Sequence, residues 1–419
     1  MAQLKDDCFA FGGDLMPLED ALADLSDRIG PVMGSERVPL AAALGRILAQ
    51  DIVAERAVPP HDNSAVDGYA VYFDDLDPVG DTRLAVTGRI AAGHPLGRYA
   101  QRGEALRIFT GAPMPAGPDT IFMEEDCTED GDGVILPPGL KRGSNRRHAG
   151  EDVKKGAVII RAGQRLRAQE IGLLASVGLS EVGVYERLRV AVFSTGDEVR
   201  DPGDEAPDGT IFDANRYAIT ALLQGLGALV TDLGILKDDE AAITKALEDA
   251  APDHDLLLTS GGVSAGEEDH IKAAVGALGQ IHFWRLAIKP GRPIALGQVG
   301  GAAFLGLPGN PVAAMVTFMI IGRPLVLRLS GALDITGAHY PVEAGFDYKK
   351  KAGRREWVRV KLESNSQGHL VAMKHHSSGA GILTSMVEAD GLVELAEDIE
   401  VSEKGAIVDF LPFSEVTGR

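Results

Sequence analysis

The chain has 419 residues, 45% of them hydrophobic and 24% charged, and its formal net charge is −20 at pH 7. Its length is too great for one compact core and predicts roughly two to four domains. The negative charge excludes general binding to nucleic acid or to an anionic membrane, although a small anionic substrate would need only a local basic pocket.

Cysteine usage and apolar runs indicate the compartment. Cys8 and Cys127 lie far apart and show no metal-ligand spacing, which excludes a disulfide framework and a cysteine zinc site and is typical of a reducing cytoplasm. The first residues lack a basic region followed by an apolar core, so no signal peptide is expected. The longest apolar run, residues 312–321, is about half as long as a membrane span. We expect a cytoplasmic protein.

The first part of the chain changes from helical to β-like patterns. Residues 18–29 have the spacing of an amphipathic helix, and residues 40–48 form a second helical pattern. Short strand-like runs separated by Gly and Pro follow between residues 57 and 141, and a helical pattern returns at 168–177. This order predicts a small β-rich domain inserted into a first body.

Strand-like and helical patterns alternate from residue 188 onward, in the order 189–193, 214–226, 229–236, 238–250 and 256–258. Such alternation predicts a parallel, doubly wound sheet. Asn310 as N-cap, with Pro311 in the first helical position, indicates the start of a long apolar helix. After Ser330 the pattern is β-like again.

We therefore predict a multidomain protein of α/β and β units, with a central doubly wound α/β domain. Four domains are expected: a discontinuous linker or dimerisation domain (1–50 and 145–185), an inserted β-rich domain (51–144), the α/β domain (186–330) and a small C-terminal β domain (331–419).

The segment 259–269 is the most informative loop. It reads TSGGVSAGEED and lies between a buried strand and a helix. Its glycines allow close backbone approach and the helix start adds positive partial charge, which suits a phosphate or another oxyanion. The acids Glu267, Glu268 and Asp269 indicate either a divalent cation beside that anion or simple helix capping.

Two further acidic loops also follow predicted parallel strands, one at residues 193–198 and one at 237–239. Each loop alone is more often turn or capping chemistry. Together they lie at one rim of the sheet and favour a magnesium-dependent phosphate site, because hard cations bind oxygen ligands and bridge to phosphates. The loops match neither a Walker A sequence nor GxGxxG, which disfavours a P-loop kinase and a dinucleotide dehydrogenase.

The segment Lys289-Pro290-Gly291-Arg292 predicts a type II turn that brings two cations together. Without a local acid, such a pair would bind an anion; the alternative is a solvent-facing hairpin turn. Arg285 would extend this basic patch or be exposed.

Other polar segments are typical of turns and surface loops. The run at residues 59–70 favours an Asx turn, and the run at 146–152 favours a surface loop. The histidines show no HxxxH spacing, and the adjacent His375 and His376 favour a surface position over a ligand role.

Seven motifs in a fixed order resemble one family. The segments are HDNSAVDGYA, FTGAPMPAG, AGED, FSTGDE, SGGVSAGEEDH, LAIKPGRP and GLPGNP. Their order is similar to that of MoeA-type molybdopterin molybdenumtransferases, which include the gephyrin E domain. The resemblance extends from about residue 14 to the C-terminus.

The resemblance implies an activity and an assembly. The family inserts molybdenum from molybdate into adenylylated molybdopterin, uses Mg²⁺, releases AMP and yields molybdenum cofactor. It implies a molybdopterin-binding type of α/β domain, a barrel-like C-terminal domain and a homodimer whose active site lies between the α/β domain of one subunit and the insertion of the other. Pathway enzymes and molybdoenzymes are the further partners.

The resemblance also implies site residues. Those in catalytic positions are Asp62, Thr110, Arg147, Asp152, Glu198, Asp238, Asp269 and Lys289, with Glu198, Asp238 and Asp269 as magnesium ligands. Those in substrate-binding positions are Ser260, Gly261, Gly262, Ser264, Arg285, Arg292, Pro308, Gly309, Asn310, Arg354 and Ser378. Arg285 and Arg292 stand where lysines are common in the family, which keeps the charge but changes its geometry.

Two alternatives stay open at this point, besides a role as a carrier that delivers finished cofactor to partner enzymes, which could coexist with catalysis. One is a paralogue that inserts tungsten, because the two oxyanions share size and charge. The other is a non-catalytic cofactor-binding scaffold, since the gephyrin E domain also holds receptor segments. The acids of the motifs are all present in this chain, which favours an enzyme.

Overall fold

The computed structural model describes residues 15–262 and 270–417. Its centre is a six-stranded sheet in which the first four strands run parallel and the last two pair antiparallel. In spatial order the strands are Leu229–Leu236, Arg189–Thr195, Leu256–Ser260, Ala302–Leu307, Pro293–Val299 and Gly279–Arg285.

Both faces of this sheet are covered, as the apolar strands require. Val190 and Val192 point to the face that is covered by the helices Asn215–Gly225 and Pro311–Thr317. Alternate residues of the same strand, such as Ala191 and Phe193, point to the face covered by the helices Glu240–Ala250 and His270–Leu278. The predicted doubly wound α/β domain is confirmed.

Strand order places a crevice at the carboxyl edge of the sheet. The chain begins at Arg189–Thr195, passes to Leu229–Leu236 on one side, and then returns to Leu256–Ser260 on the other side. The direction therefore reverses between Arg189–Thr195 and Leu256–Ser260, and ligands of open α/β sheets bind at such a switch point. Gly196 and Gly261, the first residues after these two strands, flank this crevice.

The predicted first body forms from two separate segments. Ser35–Pro39 pairs antiparallel with Glu181–Tyr185, and Ile52–Val53 pairs with Val158–Ile160. The helix Ala168–Ser176 contributes Leu174 to their shared core. The helix Leu18–Arg28 instead packs on the α/β core through residues such as Leu25. Exact domain boundaries stay a prediction.

The prediction of a helix at residues 40–48 is wrong. Only a short 3-10 turn, Leu40–Ala42, forms there. Gly45 adopts a φ of +76°, and the N–H of Leu48 donates to the carbonyl of Gln164 at 3.0 Å. The local pattern does not produce a helix here because the backbone forms hydrogen bonds with a distant segment of the chain instead.

The inserted domain contains its own six-stranded sheet. The spatial order is Thr120–Met123, Gly68–Val71, Glu104–Ile108, Thr82–Ile90, Gly133–Leu136 and Thr128–Asp130. Apolar residues cover both faces of this sheet. A separate two-stranded ladder joins Asn63–Ser64 to Arg146–Arg147 and carries the polar motifs of this domain.

Glu104 is the main buried charge of the inserted domain. Its carboxylate accepts hydrogen bonds from Arg98 Nη1 at 2.8 Å and from the N–H of Gln101 at 2.7 Å. Hydrogen bonds from Arg98, with those from Thr87 and Gln101, lower the pKa of Glu104 to about 2 although burial opposes the change. We expect Glu104→Gln to destabilise this domain by about 3 kcal/mol at pH 7.

That loss should depend on pH. Because the folded pKa is lowered, the stabilisation by the carboxylate is complete above about pH 4.5 and is lost as the pH falls toward 2. Amide hydrogen exchange of the Glu104–Ile108 strand measures the difference, with the exposed Glu125→Gln as the control. An unchanged exchange rate in Glu104→Gln at pH 7 would contradict the expectation.

The C-terminal domain is a closed five-stranded barrel. Its strands, in order around the ring, are Tyr340–Ala344, Leu370–Lys374, Arg355–Ser364, Gly391–Leu395 and Ile407–Pro412. The ring closes because Ile407–Pro412 pairs with both Gly391–Leu395 and Tyr340–Ala344. Ile288–Lys289 of the central domain pairs parallel with Arg355–Glu356 at the barrel edge. The predicted multidomain fold class is confirmed.

Shorter elements complete the description of the fold. Paired two-residue strands are Val199–Arg200 with Ile211–Phe212 and Tyr348–Lys349 with Val401–Ser402. The remaining short helical segments are Phe73–Asp75, Glu124–Asp126, Ala251–Asp253, Thr384–Val387 and Phe413–Val416.

One helical stretch in the described part of the chain is long and apolar enough to cross a membrane. It runs through Pro311–Thr317, Phe318–Gly322 and Arg323–Leu329, so it is longer than the apolar run seen in the sequence. Its most apolar window is 89% buried inside the protein, as in the core helix of a soluble protein. Pro311 occupies the first turn as expected, whereas the side chain of Asn310 makes no capping hydrogen bond.

Candidate active site

A cavity of about 630 Å³ lies between the carboxyl edge of the central sheet and the C-terminal barrel. The central domain lines it with three groups that the sequence singled out, namely Glu198, the pair Gly261 and Gly262, and Pro308 to Asn310. The segment from Lys289 to Pro293 forms the side nearest the barrel. The barrel domain contributes Ser378, which the sequence singled out, and several residues that it did not.

The glycine pair lies close to the sheet. Gly261 and Gly262 have φ values of +92° and +64°, which favour glycine. A Cβ on Gly262 would lie 2.6 Å from Cδ1 of Ile271 and 2.9 Å from Oγ1 of Thr195. The backbone here therefore passes where no other residue fits. Ser264 and Asp269, which follow in this loop, lie outside the described residues.

The loop at Pro308 to Asn310 is held by the neighbouring helix. Nδ2 of Asn215, the first residue of the helix Asn215–Gly225, donates to the carbonyl of Gly309 at 2.7 Å. Gly309 also lies next to Gly261, because a Cβ on Gly309 would be in van der Waals contact with the Gly261 Cα at 3.5 Å. Gly261, Gly262 and the loop from Pro308 to Asn310 thus form adjacent parts of the cavity wall.

Lys289 is paired with an acid from another domain. The expectation that Lys289 and Arg292 form a cation pair without a nearby acid is therefore wrong for Lys289. Glu356 of the barrel is 1% exposed and accepts hydrogen bonds from Lys289 Nζ at 3.0 Å, Tyr348 OH at 2.9 Å and Arg354 Nε at 2.7 Å. Burial raises the pKa of Glu356, but the donors Lys289 and Tyr348 outweigh it and hold the pKa below its ordinary value. Glu356 therefore fixes the position of Lys289 across the domain boundary.

The turn itself differs in one respect from the expected type II geometry. Gly291 has a φ of +87°, as expected, but the Lys289–Pro290 peptide bond is cis. A Cβ on Gly291 would lie 2.1 Å from Oγ1 of Thr317, so the turn packs directly against the long apolar helix. Both Lys289 and Arg292 line the cavity.

Arg359 is the most unusual side chain of the barrel wall. It is 5% exposed, and its Nη2 donates to the carbonyls of Ser377 at 3.1 Å and Gly379 at 3.3 Å. Its Nε is buried without a hydrogen-bond partner, and no ion pair joins it to an acid of the described ranges 15–262 and 270–417. Burial lowers its pKa. A buried guanidinium with an unused donor favours an anionic ligand in the cavity.

The cavity is positively charged although the chain is strongly acidic. Its described lining contains four cationic side chains, Lys289, Arg292, Arg359 and Lys374, but only two carboxylates, Glu198 and Glu356. Of these carboxylates, Glu356 is already engaged by three donors. The remaining positive charge suits an oxyanion or phosphate.

Several predicted substrate-binding residues lie beside the cavity rather than on its wall. Ser260 is buried at the end of its strand, and Arg285 is exposed at the end of the last strand of the sheet. Arg354 does not line the cavity but donates from Nε to the carboxylate of Glu356. Ser378, in contrast, lines the cavity together with Ser377.

The predicted magnesium ligands follow three adjacent parallel strands. Glu198 comes after Arg189–Thr195 and lines the cavity, whereas Asp238 is exposed after Leu229–Leu236. The neighbouring Asp239, not Asp238, caps the next helix by accepting from the N–H of Ala242 at 2.8 Å. Since Asp269 lies outside the described residues, the complete ligand set stays a prediction.

The predicted residues of the inserted domain do not reach this cavity within the same chain. Asp62 accepts hydrogen bonds from Arg146 Nε at 2.7 Å and from the N–H of Ala149 at 2.7 Å. Burial raises the pKa of Asp62, but these hydrogen bonds outweigh it and lower the pKa overall. Thr110 donates through both N–H and Oγ1 to Asp67, each at 2.7 Å. These contacts hold loops that are distant in sequence, so the expected local Asx turn does not involve the Asp62 side chain.

Arg147 and Asp152 lie in the segment predicted to return to the first body, and both contact the inserted domain. Arg147 pairs with Asn63, and the N–H of Asp152 donates to the carbonyl of Val58 at 3.1 Å. Both are exposed, and Arg147 lies 3.9 Å from the carboxylate of Glu151. Together with Asp62 and Thr110 they form a polar surface that faces solvent in the single chain.

Sequence reasoning missed the barrel residues Tyr348, Glu356, Arg359 and Lys374. One signal was available: Glu356 and Arg359 interrupt the apolar run of the Arg355–Ser364 strand. A charge inside a buried strand is expected to be paired or to bind a ligand. One partner of Glu356, Lys289, however, lies on another domain.

Three family models match this chain. They are the MoeA N-terminal region (domain I and II) at residues 16–178, a probable molybdopterin binding domain at 191–328, and the MoeA C-terminal region (domain IV) at 341–413. The chain belongs to the MoeA family.

Relatives and solved structures agree with this MoeA assignment. A molybdopterin molybdenumtransferase of Haemophilus influenzae is 38% identical over 406 residues, covering 96% of this chain and 100% of that protein. A molybdopterin molybdenumtransferase of Nostoc sp. is 34% identical over 402 residues, covering 93% and 92%. The crystal structure of a molybdopterin biosynthesis moeA protein from Pyrococcus horikoshii OT3 has a TM-score of 0.82 at 29% identity, covering 95% and 100%. The predicted MoeA-type family and the prediction of an enzyme are confirmed.

Proposed function

We propose that this MoeA-family enzyme transfers molybdenum from molybdate to adenylylated molybdopterin, with magnesium-dependent release of AMP, and so forms molybdenum cofactor. The observation that carries the proposal is the cavity. Four cationic side chains line it in a chain whose net charge is −20, and it lies at the switch point of an α/β sheet.

The two walls of the cavity would hold different parts of the substrates. Backbone groups at Gly261 and Gly262, with Ser260, Ser264 and the loop from Pro308 to Asn310, would hold the phosphates. Lys289, Arg292 and Arg359 would hold the oxyanion, with Ser378 beside them and Arg354 supporting Glu356. Positioning and electrostatics supply the catalysis in this scheme, and no nucleophilic side chain is required.

Magnesium fits the donor set at the rim of the sheet. Glu198, Asp238 and Asp269 follow three neighbouring parallel strands, and carboxylate oxygens are the ligands that Mg²⁺ prefers. A bound Mg²⁺ would neutralise negative charge on the pyrophosphate. In this arrangement Glu198 would lie at the end of the site that holds the phosphates, and Lys289 would lie at the end that holds the oxyanion.

The direct test measures AMP release by the purified protein with adenylylated molybdopterin and Mg²⁺, with molybdate, with tungstate or with neither oxyanion. We expect release that depends on molybdate and a product that activates a cofactor-free reductase. Equal release with tungstate would favour the tungsten-inserting alternative. No release with either oxyanion would favour a cofactor-binding scaffold and contradict the proposal.

We further propose a homodimer in which the inserted domain of one copy completes the cavity of the other. Support comes from the polar surface around Asp152, which does not line the cavity of its own chain. Val53 and Val158, which pair in the first body, are 50% and 47% exposed and present an apolar surface for a second copy. We also propose a cytoplasmic location, because the two cysteines, Cys8 and Cys127, lie far apart in a sequence without a disulfide pattern.

Mixing two impaired variants tests this assembly, at a molybdate concentration too low for Lys289→Met alone to release AMP. Asp152→Asn alters only the polar surface that contains Asp62, Thr110 and Arg147, and Lys289→Met alters only the cavity, so a mixed dimer holds one intact site. Subunit exchange at equal amounts should restore about a quarter of the wild-type AMP release per chain, because half of the dimers are mixed. Activity that stays at the level of the single variants would contradict a shared site. Mixing each variant with itself is the control.

A further inference from the structure

We propose that His375, His376 and Glu388 bind one divalent transition-metal ion of the zinc type at the rim of the cavity. One ligand atom from each of these side chains lies within 4.8 Å of the other two. This site is separate from the proposed magnesium site, because its donors and its position in the barrel differ. The sequence favoured a surface position for both histidines, and His376 is indeed exposed; the proposal adds a ligand role to that position.

The three side chains come from two elements of the barrel domain. His375 and His376 directly follow the strand Leu370–Lys374, and Glu388 directly follows the short helix Thr384–Val387. The His375 side chain is 7% exposed, whereas Glu388 is 59% exposed and His376 is also exposed. An ion therefore has an anchored ligand on the protein side and an open path from solvent.

The distances suit a small ion. His375 Nε2 and Glu388 Oε2 lie 3.1 Å apart. Zinc bonds of about 2.0–2.2 Å in tetrahedral geometry place neighbouring ligand atoms roughly 3.3 Å apart. The two imidazole rings lie side by side, with centroids 4.2 Å apart and planes inclined by 35°, so both present nitrogens to the same region. Water would complete the coordination.

The surroundings of His375 support either tautomer of its ring. Without a metal, Nε2–H donates to Glu388 and Nδ1 accepts from the N–H of Ser377 at 3.0 Å. With Nδ1 protonated, that nitrogen donates instead to the carbonyl of Ser377 at 3.2 Å, which leaves the Nε2 lone pair for a metal. Metal-binding histidines usually donate their second N–H to such a carbonyl.

The donor types favour zinc-like ions over magnesium. Two imidazoles and one carboxylate suit zinc, copper, nickel or cobalt, whereas Mg²⁺ prefers oxygen ligands. The ion would also tie down one wall of the cavity. The N–H of His375 donates to the carbonyl of Arg359 at 3.0 Å, and the Arg359 side chain donates to the carbonyl of Ser377 at 3.1 Å.

The test uses the full-length protein after removal of metal with a chelator. Zn²⁺ is titrated in competition with a chromophoric chelator, and Co²⁺ is titrated in parallel while its visible absorption is recorded. We expect one Zn²⁺ per chain, Co²⁺ absorption bands of a low-coordinate site, and no displacement by excess Mg²⁺. No substrate is present, so the result is independent of the proposed transferase reaction.

Two exposed ligands provide the variants. His376→Ala and Glu388→Gln should each weaken Zn²⁺ binding at least roughly 10-fold and reduce the Co²⁺ bands. His369→Ala, which removes another exposed histidine of the same domain, is the matched control and should bind as the wild type does. Melting temperatures check that all three variants fold. The proposal is overturned if the wild type binds no Zn²⁺, or if both ligand variants bind it as tightly as the control.

Discussion

Lys289→Met is expected to raise the molybdate concentration needed for half-maximal AMP release by roughly 10- to 100-fold. This is the effect of losing one charged hydrogen bond to an anion. Lys289 lines the cavity, and its Nζ is 3.0 Å from a carboxylate that the barrel holds in place. The measurement is the rate of AMP release over a range of molybdate concentrations. The substitution keeps the length of the side chain and removes its charge.

Two comparisons make the Lys289 result interpretable. Lys349→Met removes a lysine that is exposed and does not line the cavity, so its molybdate dependence should equal that of the wild type. Lys289→Arg keeps the charge but changes its geometry, so an intermediate effect is expected. If Lys289→Met needs no more molybdate than Lys349→Met, the residue does not contact the oxyanion.

Glu356→Gln is expected to lower both stability and activity. The carboxylate is 1% exposed and joins Lys289, Tyr348 and Arg354. Removing one partner of a buried charge network costs about 3 kcal/mol or more. Urea unfolding at pH 7 measures the stability, followed by the fluorescence of the adjacent Trp357 in a Trp284→Phe background that removes the other buried tryptophan.

The stability difference should fall in acid. The folded pKa of Glu356 is lowered from 4.5, so its charge stabilises the fold above that pH and the stabilisation is lost as the pH falls through the folded value. The gap between wild type and Glu356→Gln should therefore narrow below about pH 4.5. A gap that stays constant down to the acid transition would contradict this assignment.

The role of Glu356 is to position Lys289, and the kinetics can separate this role from general unfolding. Glu363→Gln changes an exposed carboxylate on the same strand and is the matched control. At temperatures where all variants are folded, Glu356→Gln should need more molybdate, as Lys289→Met does, while Glu363→Gln should not. Combining Glu356→Gln with Lys289→Met should add little, because contacting residues are not additive.

Local patterns predicted what depends on local physics. The alternation of strands and helices after residue 188 determined the doubly wound domain, because each buried strand and amphipathic helix carries its own periodicity. The prediction of a helix at 40–48 was wrong because a contact between distant segments, the hydrogen bond from Leu48 to Gln164, overrides the local helical propensity. The motif order alone was enough to predict the family.

The composition of the site depended on contacts between distant segments. Gly261, Lys289 and Pro308 were found from turn chemistry and motif resemblance, and the structure brings them to one cavity. Glu356 and Arg359 were not found, because their importance depends on how a barrel strand meets the central domain. Glu356, for example, lies 67 residues after Lys289 in the sequence but contacts it in the structure. His375 and His376 likewise acquire a third ligand only when the barrel folds.

By itself, then, the sequence determined the fold class, the family and the residues whose role follows from a turn or a strand end. Only the tertiary structure decided that the site is a positively charged cavity between two domains and that a buried carboxylate fixes its lysine. The physical reason is that periodicity and turn chemistry act over a few residues, whereas burial and charge pairing depend on which segments meet.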